Sequence, residues 1–217
     1  MDKKTNTRQD SRERILDVAE KLFSTSSFAS VSVRTVTTEA GVNLSAVNYY
    51  FGSKQGLFQA VYVRRAKAMN RERLELLAEY AQAAETQGKP LPIRQIISAL
   101  ISPPIRWLYD EETGVYIRFL ARAYLEEASD MANVLEEEVA VFDKFVPHIK
   151  NLYPDMSDED IYWRIHFILG VMHHTINHID RIGILSHGHC KARNWQDTRN
   201  RIVEFCELGF RGSGLDG

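Results

Sequence analysis

Cysteine is almost missing from this 217-residue chain. Cys190 and Cys206 are the only two, too few for a disulfide framework, and such sparing use fits a reducing compartment. Long apolar runs are missing as well. No stretch approaches the ~18 residues that a bilayer span demands, so no membrane partner is expected. Residues 1–14 are polar and charged and lack the apolar centre of a secretory signal, so the expected location is the cytoplasm. The usual marks of catalysis do not occur either: there is no glycine-rich phosphate loop, no nucleophile elbow and no facing pair of carboxylates. Two acidic clusters exist, Glu136–Glu138 and Asp158–Asp160. The second opens a helix, where the helix dipole favours negative charge without any chemistry being implied. Neither an enzyme nor a cofactor is expected.

What is present is ordinary in amount and unusual in arrangement. Hydrophobic residues make up 44% and charged residues 26%, the balance of a soluble globular protein. The length suits one small and one larger domain, each able to bury a core. The net charge of −2 conceals an asymmetry. Residues 1–70 hold 11 Lys/Arg against 6 Asp/Glu, so a basic first third precedes an acidic remainder. A basic end of this kind suits a polyanion, although many unrelated proteins share it.

Apolar residues recur at helical spacing along the chain, and no segment alternates as a strand would. Ile15, Ala19, Leu22 and Phe23 define a first helix over 12–23. Ser32 is placed to cap a second helix ending near Ala40, and Gly41 supplies a turn. Asn43 is expected to cap a third helix reaching Phe51. Gly52 ends that helix, and Ser53 caps a fourth running from Lys54 to about Ala84. Gln87-Gly-Lys-Pro-Leu-Pro92 is the clearest break in the chain. Further helices are expected at about 93–109, 113–128, 131–151, 158–182 and 196–210, with Pro103-Pro104 kinking or interrupting its helix. The fold class is all-α: a helix-turn-helix head over 1–56 and a larger helical body over 57–217.

Two short helices joined through Gly41 form a helix-turn-helix, whose second helix lies in the major groove of double-stranded DNA. A glycine turn between helices often means packing alone. Here it is accompanied by Tyr49-Tyr50-Phe51, Gly-Ser-Lys54 and Gly-Leu-Phe58, a run that an ordinary surface helix has no use for. Leu44, Ser45 and Asn48 share one side of the second helix, and Asn48 suits bidentate pairing with adenine. Ser32, Thr35, Asn43 and Ser53 stand at helix starts, where hydroxyl and backbone N–H groups clamp phosphates. Tyr49 and Tyr50 offer a hydroxyl to phosphate or a ring to a thymine methyl. The expected DNA-facing set is Ser32, Arg34, Thr35, Asn43, Leu44, Ser45, Asn48, Tyr49, Tyr50 and Lys54.

The segment Thr35-Val-Thr-Thr-Glu-Ala-Gly-Val-Asn-Leu-Ser-Ala-Val-Asn-Tyr-Tyr-Phe-Gly-Ser-Lys54 resembles the DNA-binding signature of the tetracycline-repressor (TetR) family, and the likeness extends over about 12–61. The resemblance implies that Tyr50 and Lys54 contact phosphate and that Phe51 packs into the head. It also implies a homodimer built from the last two helices, a small-molecule effector held between helices four to seven, and repression at a palindromic operator. This chain departs from the common pattern at Asn48, where many members carry Tyr, and at Tyr50, where many carry His. A looser likeness of Trp163-Arg-Ile-His-Phe-Ile-Leu-Gly170 and Val47-Asn-Tyr-Tyr-Phe51 to the fatty-acid-responsive branch favours an amphipathic or aromatic effector.

The body's own residues are compatible with these expectations. Trp163, Phe167, Gly170 and His174, with Ile202, Phe205 and Phe210, form two stripes, which is more than one small core absorbs. They are the expected dimer interface. Trp107, Tyr116, Phe119, Leu120, Tyr124, Phe142 and Phe145 are candidate effector contacts, although such aromatic stripes commonly belong to a core. Arg118 and Arg122 stand one turn apart, suited to an anionic ligand or, for Arg122 and Glu126, to a salt bridge. His173, His174, His178, His187, His189 and Cys190 cluster in sequence. His174 and His178 have the i,i+4 spacing of a zinc pair, leaving a metal-responsive regulator as the alternative reading. No metal site is otherwise assigned.

Overall fold

Serine hydroxyls set three helix starts. Ser32 Oγ accepts the Thr35 N–H at 3.0 Å, Ser53 Oγ the Gly56 N–H at 3.0 Å, and Ser157 Oγ the Asp160 N–H at 3.1 Å. Residues 3–123, 134 and 139–211 are described by the computed structural model, and those residues form helices, turns and loops only. In chain order they are α1 (Lys3–Thr25), α2 (Val33–Glu39), α3 (Ser45–Phe51), α4 (Lys54–Thr86), α5 (Ile93–Tyr109), α6 (Gly114–Ala123), a 3₁₀ turn (Ala140–Lys144), α7 (Val146–Leu152), α8 (Asp158–His178), α9 (Arg181–Leu185) and α10 (Trp195–Arg211).

Several boundaries differ from the sequence expectation for identifiable reasons. Asn43 does not cap α3 with its side chain. The helix starts with a tighter turn in which the Asn43 carbonyl accepts the Ala46 N–H at 2.9 Å, and Leu44 occupies the cap position. α1 begins at Lys3 rather than at Arg12. Of the expected helix over 131–151, residues 131–133 and 135–138 lie outside the described residues, and the rest is divided between the 3₁₀ turn and α7, which carries Pro147 in its first turn, where the missing N–H costs no helical bond. The expected helix over 158–182 ends at His178. A tighter turn, Ile182 N–H to Ile179 O at 3.4 Å, separates α8 from α9. Tyr124, Glu126 and the acidic run Glu136–Glu138 lie outside the described residues.

α5 is the central helix, packed against α4, α6, α7, α8 and α10. Its sequence is apolar nearly all round, and its residues from Ile96 to Ile105 are all buried, as befits a helix enclosed on every side. Pro103-Pro104 neither interrupts nor ends it. The ring of Pro104 removes the N–H that would have reached the Leu100 carbonyl. That carbonyl instead accepts Arg73 Nε from α4 at 3.0 Å. The buried Arg73 also donates to Asn70 Oδ1 at 2.8 Å and lies 5.4 Å from the centroid of Phe142. A side chain from a neighbouring helix thus supplies a donor that the proline took away.

Removing that donor should cost stability through one stranded carbonyl. Arg73→Met is expected to lower unfolding stability by about 1–3 kcal/mol. In a Pro104→Ala background, where the helix regains its own N–H, the same substitution should cost less. Urea unfolding of the four proteins measures the difference, and equal losses in both backgrounds would separate Arg73 from the proline.

Candidate nucleic-acid interface

The head is built around aromatic edges. Phe23 of α1 and Phe58 of α4 meet edge to face with centroids 5.1 Å apart, and Phe28 meets Phe58 at 5.1 Å. Val36 and Val47, both buried, dock α2 and α3 onto this core. Gly41 (φ +63°) makes the turn between them, and Gly52 (φ +74°) closes α3. Gly56 is required for a different reason. A Cβ there would collide with the Phe51 carbonyl, so α4 begins flush against the end of α3.

This packing turns one side of α3 outward. Asn43, Ser45 and Asn48 are exposed, and so are Leu44 (58%) and Tyr49 (69%), two apolar or aromatic groups left in solvent by the isolated protomer. Ser32, Arg34 and Thr35 are exposed at the start of α2, with Ser32 Oγ and Thr35 Oγ1 2.8 Å apart. Tyr50 is half-buried and meets Tyr49 edge to face at 4.9 Å. Lys54 is also half-buried, its ammonium 4.3 Å over the Phe28 ring. Phe51 is half-buried against the head core with the Arg12 guanidinium 5.4 Å from its centroid. The structure therefore gathers the ten sequence-selected residues around α2, α3 and the start of α4. It adds two that the sequence reading passed over. Ser11 and Arg14 of α1 join Asn43, Ser45, Tyr49 and Tyr50 around an open hollow of about 740 Å³. The signal that could have found Arg14 is the basic count of α1 read together with its helical period.

The head is fastened to the body through α1, α4 and α6. Glu20 is buried and ion-paired with Arg65, while Arg64 binds Asp17 at 2.6 Å. Arg65 stacks 3.6 Å from the centroid of Tyr116. Burial lowers the Arg65 pKa, with Tyr116 and then Asp17 opposing that shift. Phe119 reaches the head core at 5.3 Å from Phe58. Arg122 donates to the carbonyls of Phe23 (2.7 Å) and Ser26 (3.3 Å), closing the C-terminal end of α1.

The candidate effector residues are thus distributed rather than gathered. Tyr116 and Phe119 serve the head–body joint. Trp107 donates its indole N–H to the Glu72 carboxylate at 3.2 Å, and Phe142 lies beside Arg73. Leu120 and Phe145 are buried in the core, and Tyr124 is outside the described residues. Of the expected dimer stripes, Trp163 (52% exposed), Phe167 (60%), Gly170, His174 and Phe205 (67%) face solvent. Ile202 and Phe210 are buried within the protomer, Phe210 stacked on Tyr153 at 5.7 Å, whereas exposed Leu208 was missed. His174 and His178 rings are 5.0 Å apart, but among the described residues no three His, Cys, Asp or Glu converge as a metal site would need.

Gly56→Ala should force α3 and α4 apart and destabilise the head by about 1–3 kcal/mol. Gly170→Ala meets no atom within 4 Å and should leave the protomer's fold intact. Thermal unfolding of the two variants tests the contrast.

Residues 15–61 match the family described as bacterial regulatory proteins, tetR family. Residues 98–209 match the tetracyclin repressor-like C-terminal domain. A comparison with curated protein sequences finds no match. Among solved structures, the transcriptional regulator FadR from Bacillus subtilis, crystallised with stearoyl-CoA, superposes with a TM-score of 0.66 at 14% identity, covering 91% of this chain and 98% of that one. The fatty acid degradation regulator FadR from Bacillus halodurans gives 0.63 at 10% identity, covering 94% and 98%. Multidrug binding protein EbrR, complexed with imidazole, gives 0.53 at 20% identity, covering 89% and 88%. At these identities the structural likeness speaks for the fold. The two family matches together take in the helix-turn-helix and most of the body, and the chain belongs to the tetR family of bacterial regulatory proteins.

Proposed function

We propose that the protein is a ligand-responsive homodimeric repressor that reads a palindromic DNA operator through α3. The observation that carries this reading is the outward face of α3. Asn48, Ser45, Leu44 and Tyr49 stand in solvent on a helix whose other side is locked into an aromatic core. A surface that exposes Leu44 and Tyr49 is costly unless something covers them, and thymine methyl groups are suitable partners. Asn48 supplies the donor and acceptor pair that adenine requires. Arg14, Ser32, Arg34, Thr35, Tyr50 and Lys54 frame that face with groups suited to phosphate, which position the helix without reading sequence.

Two copies would set two α3 helices about 34–36 Å apart, or a multiple of that, to meet successive major grooves on one side of the duplex. The outer face of α8 and α10 is the proposed interface, with Trp163, Phe167, Phe205 and Leu208 as its apolar content. Gly170 and Gly209 are both exposed, with open space over each, so a partner helix has room for close approach. The effector is proposed to be a small amphipathic or aromatic molecule, in keeping with the stearoyl-CoA of the B. subtilis neighbour and the aromatic content of the body. Release from DNA requires that the effector prefer a body conformation in which the heads are wrongly spaced.

Selection of binding sites from random duplex DNA should return a palindrome. Asn48→Ala should blur one base position in each half-site, with a loss of about 1–3 kcal/mol there. No enrichment by the unaltered protein would remove the DNA-reading role. The dimer is tested separately by Phe167→Asp with Phe205→Asp. Both side chains are exposed in the protomer, so helicity by circular dichroism should hold while light scattering reports a monomer and operator affinity falls. A dimer that survives both substitutions would place the interface elsewhere.

A further inference from the structure

Between the C-terminal half of α8, α9 and the first turns of α10 lies a cavity of about 500 Å³, within the size range of small-molecule sites. Ile179, Ile182, Leu185 and Ile202 give it an apolar wall. Its charged groups are predominantly positive. Arg181, Lys191, Arg193 and Arg201 line it against a single carboxylate, Asp197, which Arg201 already holds at 3.2 Å. Among the described residues Arg181, Lys191 and Arg193 take part in no ion pair. The loop that carries two of them is shaped by backbone rather than chance. His187 (φ +51°) and Gly188 (φ +84°) turn it, the Gly188 N–H reaches the Gly183 carbonyl at 2.8 Å, and the Cys190 N–H reaches Ser186 Oγ at 2.9 Å.

The uncompensated cations are felt by their neighbours. His178, on the same wall, is held below its usual pKa by desolvation and then by the neighbouring Arg181 and His174. A metal cation would enter against this field and, among the described residues, would find no set of three ligands. None of the residues named here belongs to the aromatic set from Trp107 to Phe145.

We propose that this cavity binds an amphipathic anion, its acid head group (carboxylate or phosphate ester) held by Arg181, Lys191 and Arg193 and its apolar tail laid against Ile179, Ile182, Leu185 and Ile202. Charge-assisted bonds from guanidinium and ammonium groups orient the head, and the buried tail supplies the larger share of affinity. The proposal stands or falls separately from the DNA-reading role, because the occupancy of the cavity is measured without DNA.

The cavity carries its own reporter. Cys190 is exposed on its wall, whereas Cys206 is buried with its thiol pushed up to about 11 by desolvation. Iodoacetamide at neutral pH should therefore alkylate Cys190 in the intact 217-residue protein, with the site and rate read by mass spectrometry. Decanoate and decyl phosphate, each below its micelle concentration, are expected to slow that alkylation, and the more effective of the two identifies the head group. Decyltrimethylammonium and decanol should leave the rate unchanged. Combined Arg181→Ala and Arg193→Ala substitution, at two exposed positions whose fold is checked by circular dichroism, should raise the half-protecting concentration of the better anion by more than about tenfold. The proposal is overturned if neither anion protects, if decyltrimethylammonium protects equally, or if the arginine variant is protected as well as the parent. Protection by zinc alone would overturn it in favour of a metal site.

Discussion

One unbroken helix belongs to both halves of this protein, and the rest of the architecture is arranged around that constraint. α4 begins against the end of α3 and runs for 33 residues, about 50 Å, to Thr86. Its first turns carry Phe58 and Tyr62 into the head core, while Arg73 and Leu77, nearer its far end, are buried in the body. A continuous helix transmits displacement because bending it breaks backbone hydrogen bonds. The head therefore cannot reorient while the body keeps its packing along α4. The Glu20–Arg65 pair and the Arg122 bonds to the end of α1 tighten the same constraint from two further sides.

Polar groups at these joints are buried because they replace something. Leu100 would present a bare carbonyl to the interior, since Pro104 has no N–H to give it, and Arg73 answers from α4. The last carbonyls of α1 would be similarly bare, and Arg122 answers from α6. In each case a donor from one helix satisfies an acceptor on another, so the two helices are fixed in register as well as in contact. Apolar packing alone would tolerate a slide of an ångström or two; these bonds do not.

The parts of this arrangement that were legible in the sequence are those governed by neighbours in the chain. Ser32 and Ser53 cap the helices they precede because a cap is a matter of three residues. The break at Gln87–Pro92 and the span of α5 follow from proline, glycine and period. The outward face of α3 follows from its own spacing. What escaped the sequence depends on distant partners. Pro103-Pro104 looks like an interruption until Arg73, some thirty residues away, is seen to satisfy the freed carbonyl. Arg122 looks like half of a surface salt bridge or an anion clamp until the end of α1 is placed beside it. Ile202 and Phe210 share a helical stripe with Phe205, yet they point into the protomer while Phe205 points out, because a stripe's period does not say which side meets the core. Tyr116 and Phe119 show a further limit of the same kind, since an aromatic at a joint and an aromatic around a ligand have the same pattern in sequence.

α6 is where the body's chemistry must pass if it is to reach the head. It packs on α1, α4, α5 and α8 together, and it holds Tyr116, Phe119 and Arg122, the three side chains that meet Arg65, Phe58 and the end of α1. A ligand alters a distant equilibrium only by the difference in its affinity for two arrangements. In this fold the arrangements differ cheaply only where contacts are few or solvent-exposed, and the α6 joint is neither. An effector acting from within the core would therefore have to displace α6 and break the Arg122 bonds. A ligand between α8, α9 and α10 would instead move α8 as a body, and α8 is in direct contact with α6. Moving α8 also strains the buried contact of Arg73 with Met172, and both routes end in the same displacement of α6, so the differential affinity a ligand must supply is set by the α6 joint in either case.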